Sequence, residues 1–323
     1  MKKIFLLLAF SGLFAPAFAQ KKVIFDSDMG PDYDDVGALA VLHALADNRE
    51  AEILATIASN RYALVVPCLR IVNTYFKRPG IPVGKTVDTA PLKPCWQRGW
   101  TDTLVARYPQ GAKTPPEDAV SLYRRILARQ KDNSVTIITV GFLSNLKALL
   151  ESGPDRFSPL NGTDLVKKKV AEWVCMGGAF GKLHQKEFNL VEDAAASKYV
   201  LAHFPRPALF SGFEIGIRVK TGVELTAAHR AGSPVEDTFR IAMKSSDQDK
   251  DGRPSWDQTA VLVGVRGFDT HYTVRRGRAF MEEGGINGWT DQPDGPHAYL
   301  VEKSSPQEVR QEIEGLMRHL PRK

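Results

Sequence analysis

The stretch that decides the fold is Val23-Ile-Phe-Asp-Ser-Asp-Met-Gly-Pro-Asp-Tyr-Asp-Asp-Val-Gly-Ala-Leu39. Its first four residues predict a strand, because they are apolar and β-branched or aromatic up to the first aspartate. Residues Val36–Ala46 predict a helix, since Leu39, Leu42 and Leu45 recur on related faces. The segment between them is short and acidic.

Five aspartates stand within ten residues of this stretch, at the carboxyl end of the predicted strand: Asp26, Asp28, Asp32, Asp34 and Asp35. Carboxylates this close repel one another unless a positive charge neutralises them, and a hard divalent cation with oxygen ligands is the natural partner. Asp34 and Asp35 also fall near the start of the predicted helix, where the helix dipole stabilises negative charge. An acidic helix cap with a solvated loop is the alternative, but it does not explain carboxylates at the end of a buried strand. The cluster therefore predicts a metal site.

Outward from this stretch, short apolar strands alternate with amphipathic helices. This alternation predicts an α/β fold with a mostly parallel central sheet flanked by helices, and ligands of such sheets bind beyond the carboxyl ends of the strands. The further predicted strands are Ile53–Ala58, Ile81–Val83, Val135–Val140, Val170–Met176 and Ala208–Ser211, and the further predicted helices are Val65–Phe76, Glu117–Gln130, Leu143–Leu150, Ala194–Ala202 and Ser255–Val265. Lys85–Pro116 and Thr221–Arg253 are predicted to be irregular insertions, of the kind that form substrate lids.

The amino terminus predicts the compartment. Lys2 and Lys3 precede the apolar run Ile4–Phe14, and Ala17-Phe-Ala19 supplies the small residues of a cleavage site. This pattern is typical of a secretory signal peptide, and the apolar run is too short to span a bilayer comfortably. We therefore expect a signal peptide over residues 1–19, a single domain over residues 20–323, a periplasmic or secreted location and no membrane insertion.

Composition narrows the partners. The formal charge of +6 is spread along the chain without a basic run that contains aromatic residues, so we expect a small-molecule substrate and no nucleic-acid partner. The cysteines Cys68, Cys95 and Cys175 form no C-x-x-C motif, which disfavours zinc. Cys68 and Cys95 are the candidate disulfide pair. Homo-oligomer formation is left open.

Several segments, in the same order along the chain, resemble the nucleoside hydrolases of the inosine–uridine-preferring superfamily. Residues 26–35 are similar to the family motif D-x-D-P-G-x-D-D, and residues 139–146 to T-G-P-L-T-N. Residues 176–195 are similar to M-G-G…E-F-N…D-P-x-A-A, residues 256–261 to H-D-x-x-A-V, and Ser59-Asn60 to a G-N pair. The resemblance spans Val23 to about Val265 and implies a Rossmann-like nucleoside hydrolase fold.

The resemblance also implies an activity and its residues. The implied reaction is the Ca²⁺-dependent hydrolysis of an N-glycosidic bond in a ribonucleoside or related riboside, through an oxocarbenium-like transition state. The implied metal ligands are Asp28, Asp35, the Val140 carbonyl and Asp257. Asp28 is also the implied catalytic base, which takes a proton from the attacking water. The implied substrate contacts are Asp34, Asn60, Glu187, Asn189 and Trp256.

Three departures from the family pattern concern the leaving group and the first loop. Trp256 stands where the family has the His that is implicated in protonating the leaving group; an indole does not usefully donate a proton, but it can stack on a ring. The loop that contains Asp32 is two residues longer than the common pattern. The segment Cys95–Trp100 replaces the His-rich loop that contacts the base. We therefore expect an intact ribose half of the site and a rebuilt leaving-group half.

Two other classes of protein fit parts of the sequence. A periplasmic nucleoside- or sugar-binding protein would keep the metal site without acid catalysis, and Trp256 favours it. A haloacid-dehalogenase-like phosphatase would use Asp26-Ser-Asp28 with Thr139 as its second motif. The adjacent Asp34-Asp35 pair and the E-F-N segment argue against the phosphatase.

Overall fold

A ten-stranded sheet runs through the structure, which is a computed structural model that describes residues 20–97, 99–111 and 114–322. The strands are β1 (Lys21–Ser27), β2 (Ala51–Ala58), β3 (Val83–Lys85), β4 (Glu117–Asp118), β5 (Val135–Val140), β6 (Val170–Met176), β7 (Ala208–Ser211), β8 (Lys220–Thr221), β9 (Arg253–Pro254), β10 (Tyr272–Met281), β11 (Asn287–Asp291) and β12 (His297–Glu302). Their order in the sheet is β11-β10-β12-β7-β6-β5-β1-β2-β3-β4, and β8 pairs with β9 separately. All pairs from β12 to β4 are parallel, and β10 runs antiparallel to both of its neighbours.

The helices are α1 (Asp34–Asp47), α2 (Val65–Tyr75), α3 (Trp100–Arg107), α4 (Ala119–Arg129), α5 (Ser144–Glu151), α6 (Gly162–Lys169), α7 (Phe188–Val191), α8 (Ala194–His203), α9 (Phe213–Gly216), α10 (Val223–Ala227), α11 (Pro234–Ala242), α12 (Trp256–Arg266) and α13 (Pro306–Met317). Short 3₁₀ turns lie at Met243–Ser245 and Asp247–Asp249. None of the helices in the described ranges is both long and apolar enough to cross a bilayer.

Alternating side chains of the strands form two cores, one on each face of the sheet. In β1, Val23 and Phe25 pack with helices α1, α2, α11, α12 and α13, whereas Ile24 packs on the opposite face with α4, α5, α6 and α8. Strands that are covered on both faces are buried along their length, and β5 is buried at all six positions. The predicted α/β class, with a mostly parallel sheet between helices, is confirmed.

Helix α1 is buried on nearly every side, because it packs between the sheet and the neighbouring helices α12 and α13. A helix enclosed in this way lacks a polar stripe. Its first two residues are Asp34 and Asp35, so the acidic motif lies at its amino end.

The central position of β1 places the aspartates. Asp26 lies beside Ile57 of β2 and Thr139 of β5 in the sheet register. The residues that follow these three strands, starting with Asp28, Ser59 and Gly141, therefore meet at one edge of the sheet. This edge is the predicted location of a ligand site.

Three expectations are wrong in detail. The segment 85–116 contains helix α3, whose Trp100 is fully buried, and the segment 221–253 contains α10, α11 and two 3₁₀ turns around the buried Phe239. The helix expected from Glu117 begins at Ala119, because Asp118 caps it by accepting a hydrogen bond from the Ser121 main-chain NH. The sulfurs of Cys68 and Cys95 are not joined; both are free thiols. The signal peptide predicted over residues 1–19 lies outside the described residues.

Candidate active site

A cavity of about 270 Å³ opens at the carboxyl edge of the sheet. The predicted site residues in its wall are Asp28, Asp34, Val140, Glu187, Asn189, Trp256 and Asp257. Two predicted site residues, Asp35 and Asn60, do not line it. The wall also contains Asp32, Trp96, Met176, Lys186, Phe188, Phe213 and Arg253. The topology thus brings together segments that are more than 200 residues apart in sequence.

Asp26 lies below the cavity and is bound to the scaffold. Its carboxylate accepts hydrogen bonds from the Tyr123 hydroxyl (2.8 Å) and from Nδ2 of Asn145 (3.1 and 3.2 Å). Burial raises the pKa of Asp26 to about 7, although these hydrogen bonds lower it. Asp26 therefore ties β1 to helices α4 and α5 and does not line the cavity.

Arg253 neutralises Asp32 and Asp34, which form the second part of the acidic cluster. Both Nε (3.0 Å) and Nη2 (2.7 Å) donate to Oδ1 of Asp34, and Nη2 also lies 2.6 Å from Oδ2 of Asp32. Asp249 stands 3.8 Å from Nη1 and accepts a hydrogen bond from the Tyr33 hydroxyl (2.8 Å). Burial opposes the charge on the guanidinium, but Asp34 and Asp32 outweigh it and raise the pKa of Arg253.

Asp28, Asp35 and Asp257 form the third part of the cluster, and no salt bridge within the described residues neutralises them. All three are buried, and burial together with the neighbouring carboxylates raises their pKa values well above the ordinary range. Oδ1 of Asp35 accepts a hydrogen bond from Ser27 (2.6 Å), whereas its buried Oδ2 has no partner. An orphaned buried carboxylate oxygen is costly unless a cation approaches it.

The donor atoms of these residues are of the type that binds a hard metal ion. Asp28, Asp35, Asp257 and the Val140 carbonyl offer only oxygen donors, which suit a hard divalent cation. In the chain segments described, no three His, Cys, Asp or Glu side chains are already arranged to hold a metal ion. The carboxylates must therefore turn towards a common point for an ion to be held.

Glu187 and Asn189 also line the cavity. Glu187 caps helix α7, because its carboxylate accepts from the main-chain NH groups of Gly178, Asn189 and Leu190 at 2.9 to 3.1 Å. Burial raises its pKa to about 7 against the effect of these bonds. Nδ2 of Asn189 donates to the carbonyl (3.2 Å) and sulfur (3.1 Å) of Met176, which leaves Oδ1 of Asn189 to accept from a ligand.

Asn60 has a different position from the one expected of a substrate contact. Its Nδ2 donates to the main-chain oxygens of Asp28 (3.0 Å) and Lys93 (2.8 Å). Its Oδ1 accepts from the main-chain NH groups of Tyr62 (3.1 Å) and Lys93 (2.9 Å). These four bonds use its hydrogen-bonding capacity, so Asn60 ties the loop after β1 to the segment that carries Trp96.

Trp256 is the first residue of helix α12, and its indole NH is already hydrogen-bonded within the protein. Nε1 donates to the Phe213 carbonyl (2.9 Å), so the indole has no NH left for a ligand. Its ring contacts the ring of Phe213 at 5.3 Å and the guanidinium of Arg253 at 5.0 Å. Trp96, which is more than half exposed, meets Phe188 edge-on at 5.3 Å. The half of the cavity expected to hold the leaving group is therefore aromatic.

The sequence did not reveal Arg253 as a site residue. It precedes the Trp256-Asp257 pair by three positions, but it lies 219 residues after Asp34 (253 − 34). The available signal was Asp32, the extra carboxylate of the longer loop, which required a positive partner. Tyr33 and Asp249 contact the same guanidinium, but nothing in the sequence indicated this role except their positions in acidic segments.

The fold and the site define an α/β enzyme with a carboxylate-rich pocket at the edge of a mostly parallel sheet. Residues 23–309 match the model of the family described as inosine-uridine preferring nucleoside hydrolase, and the chain belongs to that family. It is accordingly an N-glycosidase of ribonucleosides, from a family that acts on small ribosides and depends on a metal. The resemblance seen in the sequence motifs is confirmed, and the phosphatase alternative loses its support.

Individual relatives are distant. The chain is 27% identical over 261 residues to the pyrimidine-specific ribonucleoside hydrolase RihA of Klebsiella pneumoniae, across 72% of this chain and 76% of the relative. Its structure is similar to the purine-preferring ribonucleoside hydrolase from Gardnerella vaginalis, with a TM-score of 0.74, 19% identity, and coverage of 92% and 99% of the two chains. It is also similar to an inosine-guanosine nucleoside hydrolase, with a TM-score of 0.72, 16% identity, and coverage of 93% and 100%. These two structural matches establish the fold.

Proposed function

We propose that this protein is a calcium-dependent ribohydrolase, which cleaves the N-glycosidic bond of a ribonucleoside or related riboside through an oxocarbenium-like transition state. The observation that carries the proposal is the division of the acidic cluster. One buried arginine neutralises Asp32 and Asp34, whereas Asp28, Asp35 and Asp257 have no cation and an orphaned oxygen beside the cavity. The names of the relatives give the riboside class, but they differ in the base that they prefer.

Asp28, Asp35, Asp257 and the Val140 carbonyl would hold the Ca²⁺ ion, because they are hard oxygen donors at one edge of the sheet. When bound, the ion would supply Lewis acidity that makes a water molecule easier to deprotonate. The burial of these three carboxylates without a cationic partner supports this assignment, because an ionised group buried without a counter-charge is costly.

The chain's own residues supply the remaining steps. Asp28 takes a proton from the attacking water, the water oxygen bonds to C1′, and the C1′–N bond breaks with its electron pair going to the base. Asp34, Glu187 and Asn189 orient the sugar hydroxyls, since all three line the cavity. The departing base takes its proton from solvent, because Trp256 stands where the family has its acid and an indole does not usefully donate a proton.

Asp28→Asn tests the catalytic assignment. The amide keeps the shape of the side chain but cannot accept the proton, so we expect kcat to fall by about 10²- to 10⁴-fold. Release of free ribose is measured from inosine, uridine and nitrophenyl riboside with calcium present, and bound calcium is quantified in both proteins. A variant with full calcium and near-normal turnover would remove Asp28 from this role.

Riboside binding without turnover is the second candidate, and Trp256 favours it because it stands in place of the family's acid. The same panel separates the two functions. Ribose binding by calorimetry without cleavage of any riboside would establish the binding protein, whereas ribose release that needs calcium would establish the hydrolase.

We also propose that the protein is exported and that residues 1–19 are removed. The support is the charged start, the apolar run and the A-x-A site. Amino-terminal sequencing of protein from the periplasm or medium should begin at Gln20. Full-length protein confined to the cytoplasm would contradict the proposal.

A further inference from the structure

Three carboxylates surround the guanidinium of Arg253, and only one of them belongs to the motif shared with the family. Asp34 occupies a motif position, whereas Asp32 comes from the loop with two extra residues. Asp249 approaches from the segment before β9. Three carboxylates already neutralise the guanidinium, so we do not expect it to bind an anionic ligand. We expect it to orient these carboxylates instead.

The contacts with Asp34 are asymmetric. Oδ1 receives both Nε and Nη2 of Arg253, whereas Oδ2 receives a single long bond from the Asp257 main-chain NH (3.4 Å). A carboxylate oxygen can accept two hydrogen bonds. Oδ2 is therefore the atom of Asp34 with spare capacity for a ligand hydroxyl.

The position of Arg253 is itself fixed from several sides. Nη2 lies 2.6 Å from Asp32, and the guanidinium lies 4.9 Å from the ring centre of Tyr33 and 5.0 Å from that of Trp256. A planar fork held between rings and carboxylates has little freedom to turn. Of Asp32, Tyr33 and Trp256, only Asp32 is charged, and it belongs to the longer loop.

We propose that Arg253 is a positioning residue for substrate recognition: locked by Asp32, it turns Asp34 so that Oδ2 meets a sugar hydroxyl. This inference rests on the proposed riboside hydrolase function. It assigns a role to the longer loop, which carries the carboxylate that fixes the arginine.

The test compares Asp32→Asn and Arg253→Lys with a matched control, Asp155→Asn. Asp155 is also a part-exposed carboxylate paired with a buried arginine, Arg124, and the two acids are 30% and 29% exposed. Arg253→Lys keeps the charge but cannot place two NH groups on one oxygen. Each variant is made alone and in the Asp28→Asn background, and ribose and nitrophenyl riboside affinities are measured by calorimetry with saturating calcium.

We expect Asp32→Asn and Arg253→Lys to weaken riboside affinity and raise KM by at least about tenfold, which corresponds to one misplaced hydrogen bond to a charged group. The calcium Kd should change by less than about threefold, and Asp155→Asn should leave all three quantities unchanged. Unchanged sugar affinity in the two site variants, whatever their melting temperatures, would make Arg253 structural and overturn the proposal. An equal loss of calcium and sugar affinity would also overturn it, because the effect would then act through the metal.

These measurements separate failure of the inference about Arg253 from failure of the proposed hydrolase function. If the wild-type protein cleaves no riboside but binds ribose, the hydrolase proposal fails while the affinity comparison still decides the role of Arg253. If wild-type protein with saturating calcium binds neither ribose nor nitrophenyl riboside, both proposals fail.

Discussion

Asp26, Asp34 and Asp35 are close in sequence, yet each has a different kind of partner. Asp26 is held by a phenol and an amide, Asp34 by a guanidinium, and Asp35 by one serine hydroxyl with a second oxygen left bare. The side chains alternate in direction along the strand and turn again at the start of α1, so neighbours in sequence face different surroundings. Their chemistry follows from those surroundings and not from the residue type.

At this scale we predict that Asp35→Asn lowers calcium affinity by at least about a hundredfold, since the loss of an outer-shell partner alone costs 10- to 100-fold. Asp26→Asn is the matched control, because it makes the same change below the cavity and should retain calcium. Isothermal titration with Ca²⁺ measures both. Equal affinity in the two variants would place the metal elsewhere.

Trp256 gives a second residue-scale prediction. Because an indole cannot replace the acid that the family places at this position, a leaving group that needs no protonation should depart much faster than a purine or pyrimidine. We expect kcat/KM for nitrophenyl riboside to exceed that for inosine and uridine. Each tenfold difference in kcat/KM corresponds to about 1.4 kcal/mol of transition-state stabilisation that the nucleosides lack. Trp256→His should narrow the ratio. Equal values in the wild-type protein would mean that an unidentified acid is at work.

At the scale of elements, the turn after β5 sets the shape of the site. A Cβ atom on Gly141 would lie 2.5 Å from the Asp28 main-chain nitrogen and 2.5 Å from the Ser59 hydroxyl. Both contacts are closer than real Cβ atoms allow, so the three loops can meet only if this position is glycine. The carboxyl ends of β1, β2 and β5 are thereby packed against one another.

We predict that Gly141→Ala displaces the loop that carries Asp28 and lowers kcat by at least about a hundredfold, because a small misplacement of catalytic groups has this effect. Gly315→Ala in α13 is the control, since its Cβ meets nothing within 4 Å. The control should keep full activity and gain about 0.5–1 kcal/mol of stability. Full activity of Gly141→Ala would show that the loops can separate without consequence.

The elements that could be predicted are those with the strongest burial. The bounds of β5, β6 and β7 agree with the predicted ones, since these strands are mostly buried and mostly apolar. The antiparallel strands β10 to β12 were not predicted, because β10, which lies next to the edge strand β11, exposes half of its residues, three of them arginines. Helix α3 was missed because only three of its eight residues are buried, which gives almost no periodic signal.

The site was predictable to the extent that its residues lie in local motifs. Most of the predicted residues do line the cavity, but Asn60 and Asp35 lie behind the wall. Arg253 could not be assigned, because its partners Asp32 and Asp34 become neighbours only when β9 and α12 dock on α1. Pairings between distant segments leave no trace in residue spacing.

At the scale of the whole molecule, two buried histidines tie stability to pH. Burial lowers the pKa of His43 to about 3 and that of His297 to about 4. Both folded-state values lie below the ordinary value of 6.5, so the stabilisation is fully present above pH 6.5 and is lost as the pH falls towards 4. In that window each histidine contributes a slope of about 1.4 kcal/mol per pH unit.

We predict that His43→Gln flattens this decline, because glutamine can still donate to Oδ1 of Asn73 and does not titrate. Urea unfolding at several pH values between 4 and 7 gives the free energy of unfolding of each protein. The exposed His184→Gln is the control and should follow the wild-type curve. An identical slope in His43→Gln would show that His43 does not govern the acid limb.

The distance in sequence between Asp34 and Arg253 has a consequence for biosynthesis. A ribosome that adds about 5–20 residues per second needs roughly 10 to 45 seconds to make the 219 residues between them. Once β5 has been made, the nascent chain contains both sheet partners of β1, yet the carboxylates at the amino end of α1 still lack Arg253. We infer that α1 docks only when the residues from 253 onward are available, because it also packs against α12 and α13. Stalled chains that end before this arginine should therefore remain open to proteases at the loop after β1.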